Sequence, residues 1–170
     1  MKPYHPKTGI VYYSRTGHSR RMALKLSNLL NGSLVELKAP AYTAGFLSYL
    51  RAGFDSVRQH CVLGPQSFTS LTEYDRIVLC GPVWTSYPAV PLRALLRSDV
   101  DLPYTVAMFL TSGAHSPPHK AFTAGEADLT HRFVATACVA NADEGGDEEA
   151  HIIKRFLRDL EDARASSYGT

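Results

Sequence analysis

Short apolar runs alternate with helix-length amphipathic segments along the chain. The runs are rich in β-branched or aromatic residues and are bounded by Gly, Pro, Ser or Thr. Because they are apolar on both faces, they are typical of strands in a parallel sheet that is covered by helices on both sides. The pattern predicts strands at residues 10–13, 34–37, 77–80, 106–110 and 133–139.

The intervening segments repeat apolar residues at helical spacing. Gly32 stands where a left-handed cap would end the first helix, and acids precede bases in the last one, as the helix dipole favours. Five strand–helix alternations predict an α/β fold, a doubly wound five-stranded parallel sheet with helices on both faces. Helices are predicted at residues 22–30, 46–57, 91–96, 121–130 and 147–160, with a loop at 60–72.

Composition narrows the class of protein. A length of 170 residues predicts one domain over 1–170, and 45% apolar with 20% charged residues is ordinary for a globular protein. The net charge of +2 argues against a nucleic-acid binder. No apolar run approaches the roughly 18 residues of a membrane span, and no signal peptide is evident, so we expect a cytoplasmic protein.

The cysteines and histidines offer little metal or redox chemistry. Cys61, Cys80 and Cys138 are odd in number, widely spaced and without a CxxC motif. We therefore expect reduced thiols, two of them in strands. His115 and His119 are four residues apart, but the two prolines between them oppose a regular helix, so we expect no metal site.

The strongest chemical signal follows the first strand. The segment S-R-T-G-H-S at residues 14–19 places three hydroxyls and one glycine at a strand-to-helix turn. A helix N-terminus has unpaired amide N–H groups that bind phosphate, and Gly17 would let the backbone approach closely. Residues 1–35 also contain six basic side chains and no acid. Neither GxGxxG nor GxxxxGK[ST] is present, which argues against a dinucleotide or Walker loop.

A second constellation follows the third and fourth strands. Trp84, the only tryptophan, is predicted in a loop just past a strand end, between Pro82 and Pro88. The fourth strand ends in the small polar segment at 111–113. Ligands of open α/β sheets bind outside the carboxyl ends of the strands, where an aromatic side chain suits a planar ring. These features indicate a phosphate joined to a flat heteroaromatic ring.

These motifs resemble those of the flavodoxin-like family, short-chain type. The matching segments are residues 14–19, 74–75, 81–84, 88–93 and 109–113. The resemblance implies FMN, the strand order 2-1-3-4-5 and a redox function. By position it implies a phosphate site of Ser14, Arg15 (through its backbone), Thr16, Gly17, His18 and Ser19, flavin contacts from Pro82, Val83, Trp84 and Thr85, and contacts to the pyrimidine end from Thr111, Ser112 and Gly113.

Several residues depart from the family pattern. His18 replaces a frequent Asn, and Thr85 replaces a frequent Gly after the tryptophan. As a β-branched residue, Thr85 should resist a positive φ, which would favour the transfer of electrons in pairs. The chain also lacks the strong acidity of electron-carrier flavodoxins.

The predicted function is FMN-dependent oxidoreduction. Electrons would pass from NAD(P)H or a reductase to a quinone-like molecule or a protein. His115 is the candidate substrate-facing residue near the flavin, while Tyr42, Tyr49 and Tyr87 either cover the ring or pack. The acids between 143 and 149 begin a helix or, alternatively, form a docking patch. The alternative function is a cofactor-free binding or signalling domain of the same fold.

Overall fold

The computed structural model describes residues 5–39, 71–113, 118–129 and 131–167. Its strands are β1 (Thr8–Tyr12), β2 (Ser33–Glu36), β3 (Arg76–Trp84), β4 (Tyr87–Pro88), β5 (Thr105–Ser112) and β6 (Thr136–Ala140). Five of them pair in parallel in the order β2-β1-β3-β5-β6, and the short β4 pairs antiparallel with β3. Without β4, this is the predicted order 2-1-3-4-5.

The helices that the structure describes flank this sheet. They are α1 (His18–Leu30), α2 (Val90–Leu96), α3 (Pro118–Leu129) and α4 (Asp147–Ser167), with a 3-10 turn at Asn141–Asp143 before α4. Each corresponds to a predicted helix. The helix predicted at 46–57 lies outside the described residues, as does most of the loop predicted at 60–72.

Side-chain alternation along the buried strands builds two hydrophobic layers, one on each face of the sheet. One layer contains Val11, Leu79 and Met108 with Leu92 of α2 and Leu129 of α3. The other contains Ile10, Val78 and Phe109 with Met22 of α1 and Phe156 of α4. The predicted doubly wound α/β architecture is therefore confirmed.

Two strands extend further than the apolar runs predicted. β3 continues through Trp84, because β4 folds back on it and the Ala89 N–H donates to the Pro82 carbonyl at 2.9 Å. β5 continues through Ser112, where it still pairs with β6. The prediction that Trp84 lies in a loop is wrong.

The end of α1 also differs from the prediction. Asn31, not Gly32, adopts the left-handed conformation, with φ of 49°. Asparagine tolerates that region, so it serves as the cap. Gly32 is needed for space instead, since a Cβ there would lie 3.1 Å from the Thr8 carbonyl oxygen.

At Gly81, β3 packs closely against α2. A Cβ at Gly81 would lie 2.5 Å from Cδ1 of Leu92, which is fully buried. We expect Gly81→Ala to lower the free energy of unfolding by about 1–3 kcal/mol, measured as a lower urea midpoint. Gly113→Ala is the matched control, because a Cβ there meets nothing within 4 Å. Equal midpoints for the two variants would contradict this packing argument.

Candidate functional site

The loop between β1 and α1 presents an open helix N-terminus at the carboxyl edge of the sheet. Gly17 precedes α1 with φ of 100°, which glycine adopts without strain. As the N-cap residue, Gly17 has no side chain with which to cap the helix, and the first turn of α1 contains no acid. A Cβ on Gly17 would meet nothing within 4 Å, so this backbone faces open space. Such an end is suited to an anion.

The three predicted hydroxyls of this loop have three different environments. Ser14 Oγ accepts a hydrogen bond from the Gly17 N–H at 3.1 Å. Thr16 is exposed, and its hydroxyl has no partner among the residues that the structure describes. Ser19 is buried, and its Oγ lies 2.7 Å from Thr111 Oγ1. Thr16 is therefore the one of the three whose hydroxyl makes no hydrogen bond to the described residues, while Ser14, as an acceptor, still has its own proton to donate.

Backbone and thiol contacts fix the loop to β3. The Tyr13 N–H donates to the Cys80 carbonyl at 3.0 Å, and the Cys80 thiol donates to the Ser19 carbonyl at 3.4 Å. Burial raises the pKa of Tyr13 to about 12 and raises the pKa of the Cys80 thiol as well. Cys80 and Cys138 are free thiols in β3 and β6, as predicted, while Cys61 lies outside the described residues.

Trp84 is the last residue of β3 and is partly buried at the rim of the core. Its indole packs edge-to-face on Tyr13, with ring centroids 5.6 Å apart and an interplanar angle of 88°. The neighbouring Val83 is 7% exposed and belongs to the core, so its side chain does not line an open site. Among the residues predicted to contact a flat ring, Trp84 is thus the one with an aromatic surface at the carboxyl edge.

A tight hairpin follows Trp84. Trp84 pairs with Tyr87, and the two loop residues, Thr85 and Ser86, have φ of 48° and 68°. Two successive positive φ values define a type I′ turn, for which Asn-Gly is preferred. Thr85 therefore takes a positive φ although its β-branching disfavours one, because hairpin closure imposes it, and the turn is strained. The Tyr87 ring packs between Lys120 Nζ at 4.8 Å and Arg93 Cζ at 5.2 Å from its centroid.

The end of β5 presents backbone, not side chains. Thr111 is 1% exposed and faces Ser19, whereas Ser112 points to the opposite face, where Cys138 Sγ lies 3.5 Å from its Oγ. Gly113 is exposed, with nothing within 4 Å of a Cβ placed on it. A ligand at this strand end would therefore meet the backbone around Gly113.

An ion-pair network neutralises the basic face of α1. Glu149 is fully buried and binds Arg21, Lys25 Nζ at 2.7 Å and the Gly145 N–H at 3.1 Å. Glu144 lies 2.7 Å from His18 Nδ1 and 3.2 Å from Arg21 Nε. Two carboxylates thus balance the charges of Arg21 and Lys25, so these cations are not free to attract a phosphate. The two acids join α1 to the chain after β6, a role additional to the predicted helix start.

The structure brings together some predicted residues and leaves others undetermined. The loop at 14–19, Trp84 and the end of β5 all lie at the carboxyl edge. His115, Tyr42 and Tyr49 lie outside the described residues. Tyr13 was missed, although its place between an apolar run and a polar loop is a signal for a residue at the rim of a site.

Comparisons with known proteins identify the fold. No protein-family model and no curated protein matches the chain. Its structure is similar to a protein from Bacteroides uniformis ATCC 8492, with 22% identity, a TM-score of 0.75 and coverage of 91% of this chain and 99% of that one. The chain has a flavodoxin-like fold.

A flavoprotein from Lactobacillus acidophilus NCFM is also similar, in two solved structures. Its crystal structure in complex with FMN is 23% identical with a TM-score of 0.59, covering 89% of this chain and 99% of that one. The NMR structure of its apo form gives 23% identity, a TM-score of 0.62, and coverage of 85% and 100%. In the flavodoxin-like fold of the present chain, strand order reverses between β1 and β3, where Tyr13 meets Trp84. Ligands of open α/β sheets bind at such a reversal.

The described part of the chain lacks two kinds of feature. No helix there is long and apolar enough to cross a membrane. No group of three or more metal-ligating side chains occurs among the same residues.

The ion pairs of Glu149 make the free energy of unfolding depend on pH. Hydrogen bonds from Arg21, followed by those from Lys25 and the Gly145 N–H, lower the pKa of Glu149 from 4.5 to about 2. The stabilisation is therefore complete above pH 4.5 and is lost as the pH falls toward 2. We expect Glu149→Gln to cost on the order of 2 kcal/mol at neutral pH, because water screens the partly exposed cations.

Urea unfolding at a series of pH values measures this difference. The difference in the free energy of unfolding between wild type and Glu149→Gln should become smaller as the solution is acidified. Glu148→Gln is the matched control, since Glu148 is an exposed neighbour in the same helix turn. If this difference does not change with pH, it does not come from the ionised form of Glu149.

The strained hairpin predicts a stabilising substitution. Replacing Thr85 and Ser86 together, by Thr85→Asn and Ser86→Gly, installs residues that adopt positive φ readily. We expect the apoprotein to gain about 1–2 kcal/mol, measured as a higher thermal midpoint. Thr123→Asn within α3 is the control and should give no gain in stability, because the φ of Thr123 is helical and its hydroxyl donates to the His119 carbonyl at 3.1 Å. A lower thermal midpoint in the Thr85→Asn, Ser86→Gly variant would show that the hairpin is not strained.

Proposed function

We propose that this chain binds FMN at the carboxyl edge of its sheet and takes part in oxidoreduction. The observation that carries the proposal is the open N-terminus of α1 with the free Thr16 hydroxyl beside it, next to the partly buried indole of Trp84. Helix N–H groups and hydroxyls bind phosphate, and an aromatic side chain covers a planar ring. The Lactobacillus flavoprotein, which is similar in fold, forms a complex with FMN.

The residues fit the two ends of such a ligand. Ser14 Oγ accepts from the Gly17 N–H, so its own proton is available to a phosphate oxygen, as is that of Thr16. Gly17 and Gly113 leave open space where a Cβ would stand, which suits close approach to the phosphate and to the ring. FMN, when bound, supplies the redox chemistry.

We also propose an electron donor and an electron acceptor. NAD(P)H or a reductase would be the donor, and a quinone-like molecule or a protein would be the acceptor. A net charge of +2 gives little steering toward a basic protein partner, which favours the small-molecule donor. Because Thr85 already has a positive φ, its β-branching no longer supports transfer in pairs.

A titration followed by tryptophan fluorescence tests the cofactor. Trp84 is the only tryptophan, so FMN stacked on it should quench the emission of the whole protein. Riboflavin lacks the phosphate and should bind much more weakly. Thr16→Ala removes a donor to a charged acceptor, worth roughly 1.5–3 kcal/mol, so the Kd for FMN should rise about 10- to 150-fold.

The controls separate binding from folding. Thr16 is exposed and has no hydrogen-bond partner in the described part of the chain, so its replacement should leave the thermal midpoint unchanged. Ser33→Ala removes an exposed hydroxyl at the amino end of β2 and should not change the Kd. Equal affinity for FMN and riboflavin would refute the phosphate site. Absence of binding would favour the cofactor-free domain. The electron donor is tested separately, by adding NAD(P)H to the FMN-bound protein without oxygen. Loss of the visible absorbance of FMN would identify NAD(P)H as a donor.

A further inference from the structure

A buried pair of hydroxyls connects the phosphate loop to the neighbouring strand. Ser19 Oγ, in the first turn of α1, lies 2.7 Å from Thr111 Oγ1 near the end of β5. The residues are 2% and 1% exposed, and 92 positions separate them in the chain. The pair is thus a fixed contact inside the protein, not a chance meeting of surface side chains.

The two hydroxyls have two protons, and the hydrogen bond between them uses only one. Each hydroxyl has one proton and accepts through two lone pairs, and one hydrogen bond between them engages one proton. Neither hydroxyl has another hydrogen-bond partner among the residues that the structure describes. A buried donor without an acceptor costs free energy, so this spare proton favours an acceptor brought by a ligand.

The position of the two residues indicates which proton is spare. Thr111 faces inward on the same side of β5 as Phe109, which lies in the core against α4. Ser19 lies in the first turn of α1, directly after Gly17 and His18 at the N-terminal end of the helix. The Cys80 thiol holds the Ser19 carbonyl at 3.4 Å and restrains the backbone there. Thr111 is therefore placed as the donor within the pair, and Ser19 as the donor to a ligand.

We propose that Thr111 is a positioning residue for phosphate binding, acting through Ser19 and not through contact with the ligand. Its hydroxyl donates to Ser19 Oγ, which orients the Ser19 proton toward the anion and strengthens that bond in a low-dielectric site. This inference rests on the proposed function. It assigns Thr111 to the phosphate end of FMN, whereas position in the family alone implies the pyrimidine end.

A double-mutant cycle with Ser19→Ala and Thr111→Val tests the coupling. Valine keeps the shape of threonine and removes the hydroxyl, so the Kd of Thr111→Val for FMN should rise about threefold to tenfold. Its Kd for riboflavin should stay unchanged, because riboflavin has no phosphate. In the Ser19→Ala background, Thr111→Val should add no further loss. Thr111→Ser keeps the hydroxyl and should restore the wild-type Kd.

Inorganic phosphate provides a readout without flavin. It should raise the thermal midpoint of the wild-type apoprotein more than that of Thr111→Val, with the starting midpoints showing that each variant folds. If the ratio of the Kd for FMN to the Kd for riboflavin is the same in wild type and Thr111→Val, the positioning role is overturned while the proposed function stays intact. A wild-type protein that binds neither FMN nor phosphate would overturn both. A Thr111→Val loss shared by riboflavin would place Thr111 at the ring and overturn the inference.

Discussion

The parallel pairing of β1, β3 and β5 is the constraint on which the rest of the molecule depends. Its register aligns Tyr12, Cys80 and Phe109, so the chain leaves all three strands at one edge of the sheet. Because these strands are buried on both faces, helices must cover each side, and the connections that carry them deliver polar loops to the same edge. The candidate site is therefore a consequence of topology before any individual side chain is considered.

Charge contributes less to that edge than the sequence suggests. The first 35 residues are basic, yet Arg21 and Lys25 are already paired with carboxylates near the start of α4. Besides Arg15, the loop offers a set of neutral donors and the positive end of a helix. Such donors act at contact distance and are oriented, so they select the shape of an anion more than its charge.

The sequence predicts the central strands and their neighbouring helices because local pattern decides them. Apolar residues on both faces mark β1, β3 and β5 wherever helices cover both sides. The same signal misses the last residues of β3, where glycine and proline interrupt the apolar run, and of β5, where two polar residues follow it. Both segments remain strands through pairing with β4 and β6. Likewise, the loop at 14–19 is evident from its hydroxyls and glycine, whereas the partners of Ser19 and Arg21 lie in distant segments that no local window includes.

Those distant partners have a consequence for how the molecule is made. The contacts that hold the loop after β1 join residues 92, 126 and 128 positions apart. Closing such long loops is entropically unfavourable until the sheet between them exists, which slows folding in proteins rich in non-local contacts. During synthesis Glu144 and Glu149 leave the ribosome more than a hundred residues after the loop. The N-terminal end of α1 is thus translated well before the residues that complete its native surroundings.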